Sequence, residues 1–91
     1  MNSSPNDDLY GSGLDYQDWY TFCNILLPFL HAKDVGTVDI PKVPERLINH
    51  PFMEAIYAYK YSGNEEFLDK AGKCLVPTDK RFGWYLVVTK A

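Results

Sequence analysis

The residue types that most often carry catalysis or metal binding are sparse in this chain of 91 residues. Its two histidines are His31 and His50, its two cysteines are Cys23 and Cys74, and their spacing suits no zinc site. We expect His31 at the frayed end of a helix and His50 as a cap or turn residue before a proline. Cys23 falls on the apolar face of a predicted helix and Cys74 at the start of a predicted strand, which indicates core thiols rather than nucleophiles. The sequence therefore predicts no catalytic residue, metal site, cofactor or enzymatic activity.

Two short motifs contain residue types that occur in chemical sites. The acidic pair Glu65-Glu66 is expected at the start of a helix, where the helix dipole stabilises negative charge. The segment Gly11-Ser12-Gly13 lacks the lysine and the strand-to-helix context of a phosphate-binding loop. Neither motif indicates a small-molecule substrate.

The charge of the chain is unevenly distributed. The net charge of −3 argues against a protein that mainly coats nucleic acid, since such domains usually present a strongly basic face. The first 18 residues contain four aspartates and no lysine or arginine, namely Asp7, Asp8, Asp15 and Asp18. The last 22 residues contain five basic residues, namely Lys70, Lys73, Lys80, Arg81 and Lys90. The expected arrangement is a solvated tail and a solvated hairpin, and the alternatives are that the two ends attract each other or face different partners.

The sequence also bears on where the protein is found. No charged segment followed by an apolar run opens the chain, and the longest apolar stretch, residues 25–30, is much shorter than a membrane span. Two unpaired cysteines are typical of a reducing compartment. We therefore expect a cytoplasmic or nuclear protein with no membrane contact.

The first part of the chain is predicted to be a tail followed by a helix. Residues 1–13 are rich in serine, asparagine, aspartate and glycine and predict a flexible acidic tail, so that a single domain spans residues 14–91. Asp15 is the predicted N-cap of the first helix. Pro28 predicts a kink or an early end, because it removes one backbone hydrogen bond. The apolar face of this helix follows helical spacing and comprises Trp19, Phe22, Cys23, Leu26, Phe29 and Leu30.

The middle of the chain predicts a short strand and two or three short helices. Residues 37–40 alternate as a strand would. Pro44 is expected to open a second helix and Pro51 a third, over residues 52–61. The fourth helix, residues 65–71, is predicted to begin at Ser62 or Asn64 as cap and to end at Gly72.

The C-terminal part predicts a β-hairpin. Residues 74–76 and 82–89 are rich in strand-forming residues and are separated by a turn at 77–81. With a period of two, Phe82, Trp84, Leu86 and Val88 share one face. The expected fold class is therefore α+β: a small winged-helix-like domain, its helices packed on the short strand and the hairpin, with the hairpin loop as the wing.

Two segments resemble known winged-helix domains. GTVDIPKVPERL and NEEFLDKAGKCLVPTDKRFGWYLVV resemble the corresponding segments of LOTUS (OST-HTH) domains: a strand before a helix with an early proline, and a helix before a hairpin that ends in a hydrophobic strand. The resemblance covers about residues 19–89. GNEEFLDK is also similar to the winged-helix repeats of endosomal-sorting subunits. Both resemblances imply the same architecture, and the first also implies RNA binding by the wing.

The main functional hypothesis is a non-enzymatic module that binds another protein. The third predicted helix contains Tyr57, Tyr59, Lys60 and Tyr61, whose tyrosines cannot all point inward. Tyrosine is enriched at interface hot spots because it brings a large contact area at little entropic cost. The helix has few cations, which makes it a poor reader of DNA bases. We therefore expect docking through this helix and the hairpin.

The alternative hypothesis is binding of RNA or another single-stranded nucleic acid through a basic wing. Aromatic side chains flanked by cations stack on unpaired bases while the cations contact phosphates. The candidate residues for this role are Lys73, Lys80, Arg81, Trp84 and Tyr85. In this alternative, nucleic acid rather than protein is the partner.

Overall fold

The computed structural model describes residues 14–90, and its regular elements are all helical. The predicted tail, residues 1–13, lies outside the described residues. The elements in chain order are α1 (Tyr16–His31), a 3-10 turn (Val35–Thr37), α2 (Glu45–Ile48), α3 (Pro51–Ser62), α4 (Glu65–Leu75) and α5 (Tyr85–Thr89).

The predicted α+β fold with a C-terminal hairpin is wrong, because the described residues contain no β-strand. Residues 74–76, predicted as the first hairpin strand, mostly continue α4, which ends at Leu75 rather than at Gly72. The buried residues Leu68, Ala71, Gly72 and Leu75 recur every three or four positions. This helical face continues through the β-prone Cys74-Leu75, and its burial outweighs their local preference.

The second hairpin strand is replaced by a turn and α5. Phe82 has a φ of 60°, a left-handed conformation that an extended strand does not contain. Trp84 and Val88 are both fully buried and lie one helical turn apart, while Leu86 between them is 65% exposed. The apolar period of this segment is therefore four rather than two, which removes the hairpin loop as a wing.

The predicted strand at residues 37–40 is also replaced. Asp34 caps the 3-10 turn by accepting a hydrogen bond from Gly36 N at 3.0 Å. The extended backbone that follows has no neighbouring strand in the described part of the chain. Instead, Lys60 Nζ of α3 donates to the carbonyl oxygens of Gly36 at 2.8 Å and Val38 at 2.5 Å. A side chain thus satisfies carbonyl groups that a sheet would otherwise have paired.

Helix α1 begins where the sequence predicts and ends at His31, so the early end that was one of the two effects expected of Pro28 does not occur. Asp15 Oδ1 accepts a hydrogen bond from Asp18 N at 2.8 Å, as an N-cap does. Pro28 does not end the helix, which continues to His31. Both Pro28 and Asn24, whose carbonyl loses its helical partner, are on the solvent side, so water can satisfy that group.

The caps of the next helices correct the predicted boundaries. Pro44 precedes α2 as its N-cap instead of opening it. Pro51 does open α3, and His50 Nδ1 accepts a hydrogen bond from Phe52 N at 3.0 Å. Of the two candidates for the cap of α4, Asn64 fills the position by accepting from Glu66 N at 3.0 Å.

The core lies where α1, the α3–α4 hairpin and α5 meet. Phe22 of α1 stacks on Phe52 of α3 with 4.3 Å between ring centroids. Trp19 Nε1 donates to the carbonyl oxygen of Leu75 at 2.9 Å, which ties α1 to the end of α4. The largest fully buried side chains are Trp84, Phe22, Phe29, Phe52, Leu26, Ile56, Leu75, Val88 and Cys23.

Candidate interaction surface

Helix α3 places one of its three tyrosines in the core and the other two at the surface. Tyr57 and Tyr61 are 41% and 77% exposed, and they lie one turn apart on the outer face. Their rings are nearly parallel, with an interplanar angle of 18° and centroids 6.4 Å apart. The amphipathic pattern of α3, which buries Phe52, Met53 and Ile56, produces this arrangement. The structure therefore leaves two predicted partner-binding residues exposed as a pair.

The other two predicted partner-binding residues have structural roles. Tyr59 is only 8% exposed and packs against Phe29 with 5.9 Å between ring centroids. Burial raises the pKa of its hydroxyl, and the nearby negative charge of Glu65 raises it further. Lys60 is held by the two loop carbonyl groups of Gly36 and Val38. Neither side chain is placed to reach a partner.

A shallow apolar groove borders the exposed tyrosines. Its volume is about 450 Å³ and its apolar lining includes Val43, Ile48, Met53 and Tyr57. Ile48 is 53% exposed although it lies in the short helix α2. We call Val43, Ile48, Met53, Tyr57 and Tyr61 the tyrosine surface. The sequence did not indicate Val43 or Ile48 as surface residues of this site, because only the fold brings residues 41–48 beside α3.

Lys60 provides a test of what holds the loop at residues 36–38 against α3. Replacing it in Lys60→Met keeps the apolar stem and removes the donor to the Gly36 and Val38 carbonyl groups. We expect a loss of about 1 kcal/mol in the free energy of unfolding. Hydrogen exchange should accelerate at the Thr37 and Val38 amides, which bond within the turn. The matched control is Lys33→Met, and equal exchange in the two variants would contradict the role given to Lys60.

The C-terminal candidates are organised around Asp69 of α4. Its Oδ1 accepts hydrogen bonds from Phe82 N at 2.9 Å and from Trp84 Nε1 at 2.8 Å. Its Oδ2 lies 3.1 Å from Lys73 Nζ. Burial alone would raise the pKa of the Asp69 carboxyl, but the three donors outweigh burial and lower it. Asp69 therefore anchors the segment that precedes α5 onto α4.

This anchoring changes what the predicted nucleic-acid residues can do. Trp84 is fully buried and Lys73 is paired with Asp69, so the best stacking side chain is inaccessible and one cation is already in an ion pair. Lys80 and Arg81 are exposed, and the Arg81 guanidinium lies 5.1 Å from the Phe82 ring centroid. Tyr85 is 41% exposed. The structure thus leaves exposed only part of the set that base stacking with phosphate contact requires.

A second groove runs between α3 and α4. It has a volume of about 540 Å³. The lining residues are Pro51, Glu54, Ala55 and Ala58 from α3, with Phe67, Lys70, Lys73 and Cys74 from α4. The α3 wall is built largely from small side chains. We call this feature the α3–α4 groove.

The two cysteines have raised thiol pKa values, and the two histidines lie at helix ends. Cys23 is fully buried, and burial raises the pKa of its thiol to about 12. Cys74 is half-buried, and burial also raises its pKa. His50 serves as the N-cap of α3, and His31 is exposed at the end of α1. No group of three or more metal-binding side chains gathers within residues 14–90.

Comparisons of the chain with protein-family models, curated proteins and solved structures find no match. The resemblance to LOTUS domains and endosomal-sorting subunits thus remains a sequence-based prediction. As for membranes, none of the helices in the described part of the chain has the length and apolarity needed to cross one.

Proposed function

We propose that this protein is a non-enzymatic interaction module that binds another protein through the tyrosine surface. The observation that carries the proposal is the exposed, stacked pair Tyr57 and Tyr61 beside an apolar groove. Exposed aromatic side chains on a rigid helix lose little conformational entropy when a partner covers them. The two rings lie nearly parallel and one turn apart on α3, so one partner surface can cover both.

The surroundings of the pair combine apolar and charged side chains. Val43 and Ile48 line the groove with Tyr57, and Lys42 and Glu45 line it as well. Protein–protein interfaces combine apolar area with polar groups in the same way. The proposal includes a cytoplasmic or nuclear location, which is supported by the free thiols of Cys23 and Cys74.

The interaction is tested by the double variant Tyr57→Ala/Tyr61→Ala in quantitative affinity capture from cell extract. Removing two hot-spot tyrosines should weaken a specific complex by more than about tenfold. Both side chains are exposed, so circular dichroism and melting temperature should remain close to those of the original protein. The matched control is Tyr20→Ala, an exposed tyrosine of α1. Retention of every captured partner by the double variant would refute the tyrosine surface as the binding site.

A direct measurement separates this function from nucleic-acid binding. Fluorescence anisotropy with labelled single-stranded RNA and duplex DNA should show no saturable binding at low salt. Binding that weakens as salt rises, and that Lys80→Glu/Arg81→Glu abolishes, would instead favour the alternative function.

A further inference from the structure

We infer that the α3–α4 groove binds an amphipathic helix of a partner protein, with acidic side chains of that helix along α4. The groove borders the tyrosine surface across α3 but shares no lining residue with it. The inference therefore concerns a second site, which can be tested independently of the tyrosine surface.

The shape of the groove suits a helix. Ala55 and Ala58 form a low wall on α3, and Phe67 and Cys74 form the apolar wall on α4. Small side chains let an incoming helix approach closely, and its apolar residues at i, i+3, i+4 and i+7 would follow the groove. The volume of about 540 Å³ leaves room for several such side chains.

The charge at the groove selects the chemistry of the occupant. On the α4 wall, Lys73 is paired with Asp69. Lys70 lies 5.7 Å from the centroid of the Phe67 ring, and no carboxylate of the described residues is within ion-pair distance of its ammonium group. Among the described residues, Lys70 therefore gives the α4 wall an unpaired positive charge, and a helix with an acidic residue beside it gains attraction where a basic one meets repulsion.

Glu54 on the opposite wall further limits which ligands complement the charge of the groove. Its exposed carboxylate faces the groove from α3, so the two walls have opposite charge. A nucleic-acid backbone, which is negative along its whole length, would be repelled by the α3 wall. A helix can place acidic residues on one flank and neutral or basic residues on the other, which complements both walls.

The test is a selection from a displayed library of amphipathic helical peptides of about 18 residues, long enough to form helix. The library keeps leucine at the i, i+3, i+4 and i+7 positions and randomises both flanks among Glu, Lys and Gln. Counter-selection uses Ala58→Arg, which fills the groove. We expect the recovered peptides to have glutamate enriched on one flank. Selection on Lys70→Glu, a change at an exposed side chain, should instead enrich lysine on that flank.

The possible results decide the inference. Peptides that bind the original protein at least tenfold more tightly than Ala58→Arg, and whose affinity Lys70→Glu lowers at least fivefold, support it. No enrichment over the counter-selection, or enriched flanks without net acidic charge, would overturn it. Binding lost in Tyr57→Ala/Tyr61→Ala but retained in Ala58→Arg would also overturn it, because the site would then be the tyrosine surface.

Discussion

Gly72→Ala is expected to destabilise the fold by about 2–3 kcal/mol, although alanine is the better helix former by about 1 kcal/mol. Gly72 lies inside α4 and is buried against the Trp84 indole. A Cβ atom at this position would lie 2.0 Å from the Cδ2 and Cε2 atoms of that ring. The indole is fully buried, so it can move only by disturbing the core around it. The steric cost therefore outweighs the gain in helix propensity.

Denaturant unfolding of a double-mutant cycle tests this explanation. In a Trp84→Leu background the large ring is absent, so Gly72→Ala should cost much less than in the original protein or should stabilise. The Trp84→Leu variant provides the matched control. An equal loss of stability from Gly72→Ala in both backgrounds would show that the cost does not come from contact with Trp84.

Asp69→Ala is expected to reduce the free energy of unfolding by about 2–4 kcal/mol, because it leaves the Trp84 Nε1–H and the Phe82 N–H without their acceptor. The largest local effect should appear in residues 82–89, which this carboxylate holds against α4. Hydrogen exchange should accelerate at the Val87 and Val88 amides, both of which donate to the Trp84 carbonyl oxygen. Glu66→Ala, at an exposed carboxylate on the same helix, is the matched control. Unchanged exchange in α5 would contradict the anchoring role.

The same carboxyl also predicts an effect of pH. The pKa of Asp69 is lowered in the folded protein, so its contribution to stability is present above the unfolded pKa of about 4 and is lost as pH falls through the lower folded value. Asp69→Asn, which has nearly the same shape, should reduce the acid-induced loss of stability below about pH 4. The measurement is the midpoint of urea unfolding against pH for both proteins. Parallel curves through the acid range would exclude Asp69 as a source of this dependence.

Local signals in the sequence identified several elements correctly. The apolar face of α1, with its Asp15 cap, and the opening of α3 by Pro51 are features of neighbouring residues, so periodicity and capping rules detect them. The argument that tyrosines spread around one helix cannot all be buried predicts that some of them are exposed, but it does not say that these are Tyr57 and Tyr61. The packing of Tyr59 on Phe29 and the hydrogen bonds of Lys60 to Gly36 and Val38 could not be predicted from the sequence. Their partners are distant along the chain.

The C-terminal segment shows most clearly where local reasoning fails. Its run of aromatic and β-branched residues favours a strand, yet the segment forms a turn at Phe82 followed by α5. The Trp84 indole is buried against Gly72 and donates a hydrogen bond to Asp69. Neither contact can be recognised from the residues that neighbour Trp84 in the sequence. Burial of an indole stabilises a fold by more than the roughly 1 kcal/mol that strand propensities span.

The sequence by itself therefore determined the helical character of α1 and α3, several of their caps, and the presence of more tyrosine than one helix can bury. Only the tertiary structure determined that the C-terminal segment forms a turn and α5, that Trp84 is buried instead of exposed, and that grooves lie beside α3. The physical reason is that periodicity and capping depend on residues within a few positions of each other. Grooves, buried hydrogen bonds and the close approach of an indole to a glycine depend on residues that only folding brings together.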